Sequence, residues 1–344
     1  MPADIQAIRV FEAFAGYGGA SFGLKKAGLK HKVVMYSEWD KWAQELFEAN
    51  HGKTHLFSKS NAGDITLGDI NSIPEFDLFT GGFPCQPFSS AGHGLGELDP
   101  RGTLFYSILN IVKSHRPQHI LLENVKGLTQ KKHSRTFHKI LKDLRGLGYS
   151  IEYAVLNSKD YGIPQNRERL WIYGKLESKI KWGFFESISK QPGLKVFNDF
   201  LDPQNNMSVS EKYFLSDNQV NILIDKHQMP LLEFPKIHHN RALCLDIYNR
   251  KLRKDEISIT LTEPHHNSLR VLERIGIHQR EYSNGEIGRG FTVRKLTEFE
   301  HFRLMGISSN EIKTAGQSYQ QLCKRAGNGW DVNLAAKIFT CIFS

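Results

Sequence analysis

Cysteine is scarce in this chain of 344 residues: there are four, at positions 85, 244, 323 and 341, and no two stand close together. That spacing excludes a zinc cluster built on paired cysteines and a compact disulfide framework, so the thiols are available for other chemistry. No apolar run approaches the roughly 20 residues a membrane helix needs, and Met1-Pro2-Ala3-Asp4 is not the basic-then-apolar start of a signal peptide. A cytoplasmic protein with no membrane partner is expected. Internal repeats and low-complexity tracts are also missing, which removes solenoids and compositional linkers from consideration. Acidic residues are outnumbered, 36 against 45 Lys and Arg, for a net charge of +9. Such a balance favours a polyanionic partner without requiring one.

The surplus charge is uneven: −4 for residues 1–100, +9 for 101–180, +1 for 181–290 and +3 for 291–344. Part of the mid-chain excess is Lys131-Lys132-His133-Ser134-Arg135, which reads equally well as a phosphate-contacting stretch and as a solvated loop.

From residue 8 to about 175, short apolar runs alternate with helical patterns. Val10-Phe11-Glu12-Ala13-Phe14 reads as a strand before a helix near 20–27, and Val33-Val34-Met35-Tyr36 as a strand before a helix near 39–50. Asp77-Leu78-Phe79, Ile120-Leu121-Leu122 and Leu170-Trp171-Ile172-Tyr173 are further strands, with helices near 102–114 and 134–147. The alternation predicts an α/β fold, an open and mostly parallel sheet with helices on both faces and ligands at the carboxyl ends of its strands. After about residue 180, Pro192-Gly193, Pro203, Pro230, Pro235 and Pro264 break the rhythm, and little helical periodicity remains before residue 295. Residues 181–290 are expected to form a small irregular domain. Leu296 to Met305 and Trp330 to Phe343 return as helices, so 1–180 plus 291–344 make the larger domain.

Chemistry concentrates at predicted strand ends. Phe14-Ala15-Gly16-Tyr17-Gly18-Gly19-Ala20 opens a helix with glycines that let backbone amides approach a nucleotide-like ligand, although Ser21 stands where a full dinucleotide fingerprint has glycine. Glu38 and Trp39 end the next strand, a carboxylate suited to ribose hydroxyls and an indole suited to stacking on a base. Cys85 follows Phe83-Pro84 and precedes a stretch rich in Ser and Gly. A lone cysteine is usually a small buried hydrophobe, whereas a strand-end loop is where a thiol gains the exposure and lowered pKa of a nucleophile. Glu123 ends another strand, in reach of a partly desolvated setting where a carboxyl can carry a proton near neutral pH. Arg167 and Arg169 offer guanidinium forks to oxygen atoms, or a surface ion-pair cluster.

Taken together and in order, these pieces resemble the DNA (cytosine-5) methyltransferase family of bacterial restriction-modification systems. The resemblance rests on Phe14 to Gly19, Ser37-Glu38-Trp39-Asp40, Gly63-Asp64-Ile65, Gly82-Phe83-Pro84-Cys85-Gln86-Pro87-Phe88-Ser89, Asp99 to Phe105, Glu123-Asn124-Val125, Tyr161 to Arg169, Arg294-Lys295-Leu296-Thr297 and Gly327-Asn328-Gly329. It spans almost the whole chain except residues 180–290. The Pro-Cys-Gln run followed by Glu-Asn-Val is highly specific, and it turns Cys85 and Glu123 from doubtful to expected site residues.

The resemblance implies an S-adenosylmethionine-dependent, Rossmann-like mixed sheet domain with a target-recognition domain, acting as a monomer on double-stranded DNA at the nucleoid. Cys85 would add to carbon 6 of a flipped-out cytosine, Glu123 would serve ring nitrogen 3, Arg169 the cytosine carbonyl, and Arg167 would support Glu123 or meet a phosphate. S-Adenosylmethionine would lie on Phe14, Gly16, Gly18, Glu38, Trp39, Asp64, Ile65, Pro84, Leu104 and Asn328. DNA would meet Gln86, Ser89, Arg101, Arg241, Thr260 and Leu261, with loop 86–101 closing around the base. A cognate restriction endonuclease acting on the same site is a further implied partner, and no metal is expected. In Ile259-Thr260-Leu261-Thr262 a recurring family element is recognisable, but Glu263-Pro264-His265-His266 follows where the family often has glycines. An RNA cytosine methyltransferase, a non-catalytic DNA-binding regulator on this fold and a nicotinamide oxidoreductase are the competing readings.

Overall fold

The computed structural model describes residues 6–84, 103–192, 197–202, 209–227, 242–263, 269–274 and 291–344. In chain order the larger domain begins with β1 (Ile8–Ala13), α1 (Gly19–Lys26), β2 (His31–Ser37), α2 (Lys41–His51), β3 (Leu78–Gly82), α3 (Thr103–His115) and β4 (His119–Val125). It continues with α4 (Ser134–Gly146), β5 (Tyr149–Asn157), β6 (Gln165–Asn166) and β7 (Glu168–Leu176). Six strands form one sheet in the order β2-β1-β3-β4-β7-β5. The first four are parallel, and β7 runs antiparallel to both its neighbours. The chain leaves β1 for β2 on one side and returns to β3 on the other, so a crevice opens at their carboxyl ends.

Side chains that alternate along each strand divide between two cores. Val10, Leu78 and Leu121 face one layer, while Phe11, Phe79, Ile120 and Leu122 face the other. The second layer is covered by α3 and by α4, whose Phe137, Ile140, Leu141 and Leu144 fall at helical spacing on one buried stripe. The first layer is covered by α1 and the C-terminal helix described below.

Strand β5 is absent from the sequence reading, which passes from the helix ending near 147 straight to Leu170. The period-two signal of Tyr149, Ile151, Tyr153 and Val155 is weakened because β5 is an edge strand, with Tyr153 45% and Val155 36% exposed.

The inserted part holds α5 (Asp217–His227), β8 (Leu243–Asp246), β9 (Lys251–Arg253), β10 (Ser258–Ile259), β11 (Leu269–Arg274) and β12 (Phe291–Arg294). Four of these strands form an antiparallel sheet in the order β12-β11-β8-β9, and Val220 of α5 packs on Leu245, Leu272 and Val293. Helix α5 corrects the expectation of little helical structure before residue 295. β10 pairs in parallel with β6, Ser258 beside Gln165 and Ile259 beside Asn166, and so ties the insert to the larger domain.

The chain then returns through α6 (Glu298–Arg303), α7 (Tyr319–Asn328) and α8 (Val332–Phe343). Capping boxes start α6 at Thr297 and α7 at Ser318, and Asp331 caps α8. At the end of β12, Arg294 is fully buried, with Nε 2.7 Å from Glu273 and its two terminal nitrogens 2.8 and 2.9 Å from the carboxylate of Glu300. Helix α8 lies on α1, so closely that a Cβ on Gly23 would sit 3.0 Å from Ala335 and 3.1 Å from Phe339. Among the described residues no helix is long and apolar enough to cross a membrane.

Candidate active site

The turn from β1 into α1 places Phe14, Gly16 and Gly18 at positive φ, +52°, +57° and +86°. For phenylalanine the left-handed region costs about 1–2 kcal/mol, a strain of the sort that persists where a site requires it. The space beside Gly16 is open, whereas a Cβ on Gly18 would lie 2.1 Å from the ring of His51. Gly18 therefore shapes the turn from behind.

Glu38 locks this turn to β2: one carboxylate oxygen accepts from Gly16 N at 2.9 Å and the other from Asp40 N at 2.9 Å. Asp40 in turn caps α2 and accepts from Arg325 at 2.6 Å. Trp39, between them, is 78% exposed, an indole presented to an incoming ring. Gly63 packs so tightly on Glu38 that a Cβ would sit 2.0 Å from its carbonyl oxygen, bringing Asp64 and Ile65 to the same wall.

Phe14, Gly16, Glu38, Trp39, Asp64 and Ile65 border a single cleft of about 810 Å³ with Pro84, Leu104 and Asn328, within the range of ~300–1,000 Å³ common for small-molecule sites. Glu123, Arg167 and Arg169 border it as well. Gly18 alone of the expected cofactor residues does not. Cys85, Gln86, Ser89, Arg101 and Arg241 lie outside the described residues, as do His238-His239 and His265-His266.

Glu123 lies two residues before the end of β4 and is 8% exposed, and Arg169 Nε stands 3.0 Å from its carboxylate. Burial pushes the Glu123 carboxyl above its ordinary range, while Arg169 and then Arg167 pull against that shift. Next to it Asn124 donates to the carbonyl of Phe83 at 2.9 Å, which holds the segment leading to Pro84 against the end of β4. Arg167 lies beside Glu123 on the cleft wall, and its positive charge acts on that carboxyl. It is 2% exposed and donates to the carbonyls of Leu261 at 3.2 Å and Gly329 at 2.7 Å, so it also clamps backbone from two other segments. Burial lowers its pKa to about 9, with the neighbouring charge of Arg169 acting the same way.

Leu261, expected on DNA, is 1% exposed and packs in the core. Its amide donates to Gln165 at 3.1 Å, and Thr260 donates to the carbonyl of Asn166 at 2.5 Å. Glu12, Glu263 and Trp330, which the sequence did not mark as site residues, also border the cleft, as do Thr80, Lys324 and Arg325. A Cβ on Gly82 would meet Trp330 Nε1 at 2.8 Å and Glu123 Oε2 at 3.4 Å, so that glycine was the legible trace of an indole packed beside the carboxylate.

Glu12, fully covered at the end of β1, accepts from Ala20 N at 3.0 Å and Ser21 Oγ at 2.5 Å. Burial raises its pKa from 4.5 to about 7 against the pull of those hydrogen bonds. The folded chain thus holds a proton that the unfolded chain releases near 4.5; the contribution is complete below that pH and is lost as pH rises through about 7. Melting of the native chain should fall from pH 5 to 8 relative to Glu12→Gln, which lacks this component. Parallel melting curves for the two across that window would overturn the assignment.

Among the described residues no group of three or more His, Cys, Asp or Glu side chains could hold a metal ion. A family model described as C-5 cytosine-specific DNA methylase matches residues 8–344. The chain is 43% identical over 209 residues to the Type II methyltransferase M.NgoBI of Neisseria gonorrhoeae, a match covering 61% of this chain and 62% of that protein. With the Type II methyltransferase M.HaeII of Haemophilus aegyptius the match likewise spans 61% of each chain, at 42% identity, so the chain spans about three fifths of these relatives. It is 45% identical over 321 residues to the Type II methyltransferase M1.ScrFI of Lactococcus lactis subsp. cremoris, covering 93% of this chain and 74% of that protein. Among solved structures, that of S. pombe Dnmt2 methyltransferase shares the fold with a TM-score of 0.70 at 21% identity, over 97% of this chain and 98% of that one.

Proposed function

The chain belongs to the C-5 cytosine-specific DNA methylase family, and on that footing we propose that it transfers a methyl group from S-adenosylmethionine to carbon 5 of a cytosine within a specific duplex DNA sequence. The setting is the modification half of a restriction system, with a cognate endonuclease acting on the same site. The observation that carries the reading is Glu123, a buried carboxyl paired with Arg169 on the wall of a cleft that also holds Glu38 and the glycine turn.

The residues present fit the cofactor. Gly16 leaves open space, Glu38 keeps lone pairs for ribose hydroxyls beyond the two amides it already accepts, and Trp39 offers an exposed face to adenine. Asp64, Ile65, Leu104, Pro84 and Asn328 complete the enclosure. When bound, S-adenosylmethionine supplies a methyl group on positively charged sulfur.

The chain's own residues must make carbon 5 of cytosine nucleophilic. Cys85, bonded to Pro84 at the cleft, adds as thiolate to carbon 6. Glu123 donates to ring nitrogen 3, and its raised pKa suits a group that must carry a proton near neutrality. Arg169 steadies the carbonyl oxygen and holds Glu123 in place. Once carbon 5 has been methylated, loss of its proton restores the double bond and expels the Cys85 thiolate. Neither face of carbon 6 is open inside a stacked duplex, so the base must first swing out into the cleft.

The reading is tested by incubating the chain and S-adenosylmethionine with duplex DNA containing 5-fluorocytosine, in which the proton to be lost is replaced. A denaturation-resistant complex is expected, with the adduct mapping by mass spectrometry to the peptide that contains Cys85. Mapping 5-methylcytosine in an unmethylated host expressing the gene identifies the recognised sequence. Transfer to RNA with none to duplex DNA would remove DNA as the substrate.

A further inference from the structure

Glu263 is the one cleft carboxylate contributed by the inserted segment, among the described residues. Its position is fixed from two sides. Arg167 holds the carbonyl of Leu261 at 3.2 Å, and Gly327 lets the backbone of 262–263 approach so near that a Cβ there would lie 2.6 Å from Thr262 O. From that place Glu263 Oε1 accepts from Asn328 Nδ2 at 2.9 Å.

An asparagine amide has a donor end and an acceptor end, and its partners decide which way each faces. With the nitrogen of Asn328 held by Glu263, the acceptor oxygen Oδ1 is the end left for a ligand in the cleft. The end of α7 that carries it, with Gly329 and Trp330 after it, lies against the glycine turn: a Cβ on Gly19 would be 2.9 Å from Trp330 Cβ, and one on Gly329 would be 2.0 Å from the ring of Tyr17. Glu38, holding Gly16 and Asp40, claims the ribose. That leaves the wall formed by Gly19 and residues 327–330 for the other end of the cofactor, which carries an α-ammonium and a carboxylate. The Ala20 and Ser21 amides of α1 already serve Glu12, so the carboxylate is met by the positive end of the helix at Gly19. The ammonium needs acceptors, and Asn328 Oδ1 beside a carboxylate provides them.

We propose that Glu263 is a positioning residue for the amino-acid end of the cofactor, orienting Asn328 so that its amide oxygen accepts from the α-ammonium group and adding a compensating negative charge. The inference rests on the cofactor assignment above. It also makes one wall of the cofactor site a property of the inserted segment, since Glu263 directly precedes the connection into β11 of the small sheet.

The test is calorimetric titration of the full chain with two ligands, S-adenosylhomocysteine and 5′-methylthioadenosine, which keeps the adenosine and the sulfur but has no amino-acid group. Glu263→Ala is expected to weaken the first roughly tenfold and the second by less than about twofold. Glu263→Gln, which still accepts from Asn328 but is neutral, should fall between. In an Asn328→Ala background the effect of Glu263→Ala should shrink, because the two residues act together. Equal weakening of both ligands, or unchanged binding of S-adenosylhomocysteine, would overturn the proposal. If Glu263→Ala melts early, the neutral Glu263→Gln carries the same two comparisons. A native chain that binds neither ligand would remove the cofactor reading itself, an outcome distinct from selective loss in the variants.

Discussion

Glu123→Gln is expected to slow single-turnover methyl transfer by roughly 10²–10⁴-fold, the usual contribution of a positioned proton donor, while leaving S-adenosylhomocysteine affinity nearly unchanged. Glutamine keeps the shape and can still accept from Arg169 Nε, which stands 3.0 Å away, so the wall of the cleft should stay in place. What it lacks is the proton. Because burial raises the Glu123 pKa, the native rate should also fall as pH rises through that value, from loss of the protonated form. The variant should have no such limb. A rate within tenfold of the native one, or an alkaline limb that survives in the variant, would show that Glu123 is not the donor.

Arg294→Met should cost about 3–5 kcal/mol of stability, the scale for removing one partner of a buried charge network. Arg294 is fully enclosed and serves two carboxylates, Glu273 at 2.7 Å and Glu300 at 2.8 and 2.9 Å. Glu300 is itself fully buried and also accepts from Thr297 N in the capping box of α6. Methionine would fill much of the volume and leave both acids without a counter-charge. Part of the loss should therefore return in Arg294→Met with Glu300→Gln, a pattern that simple overpacking or cavity formation does not produce. Urea titration read by tryptophan fluorescence measures it, with hydrogen exchange expected to rise in β12 and α6 together. An unshifted midpoint would mean the network contributes little.

The parts of the site that were legible before the structure are those written in local sequence. Glu38 directly follows β2 and Glu123 stands near the end of β4, and residues at the carboxyl end of a parallel strand face the edge of the sheet where ligands bind. Gly16 and Gly18 announced a turn because their backbone angles require glycine. The backbone contacts of Arg167 were not legible, for the opposite reason. Its partners are the carbonyls of Leu261 and Gly329, far away in sequence, and nothing in Gln165 to Arg169 records them. Glu263 and Trp330 were missed likewise, since each gains its meaning from a glycine on another element. Helix α7 went unnoticed because its buried face includes Arg325 beside Leu322, Cys323 and Ala326, so the apolar stripe is interrupted by a charge that Asp40 neutralises. In α5, Val220 and Leu223 pack on the small sheet while Ile222 between them is 55% exposed, which blurs the helical period.

Val10, Leu78 and Leu121 belong to strands made early in synthesis, yet the Ile338 and Phe339 that cover them come from the last helix. On a ribosome working at roughly 5–20 residues per second, that face of the sheet waits on the order of tens of seconds for its cover. Gly23 is shaped to receive Ala335 and Phe339 and has nothing to receive until then. A chain cut short before α8 is therefore expected to leave that apolar face of the sheet uncovered and to be readily proteolysed, which limited digestion of the truncated chain beside the full one would check.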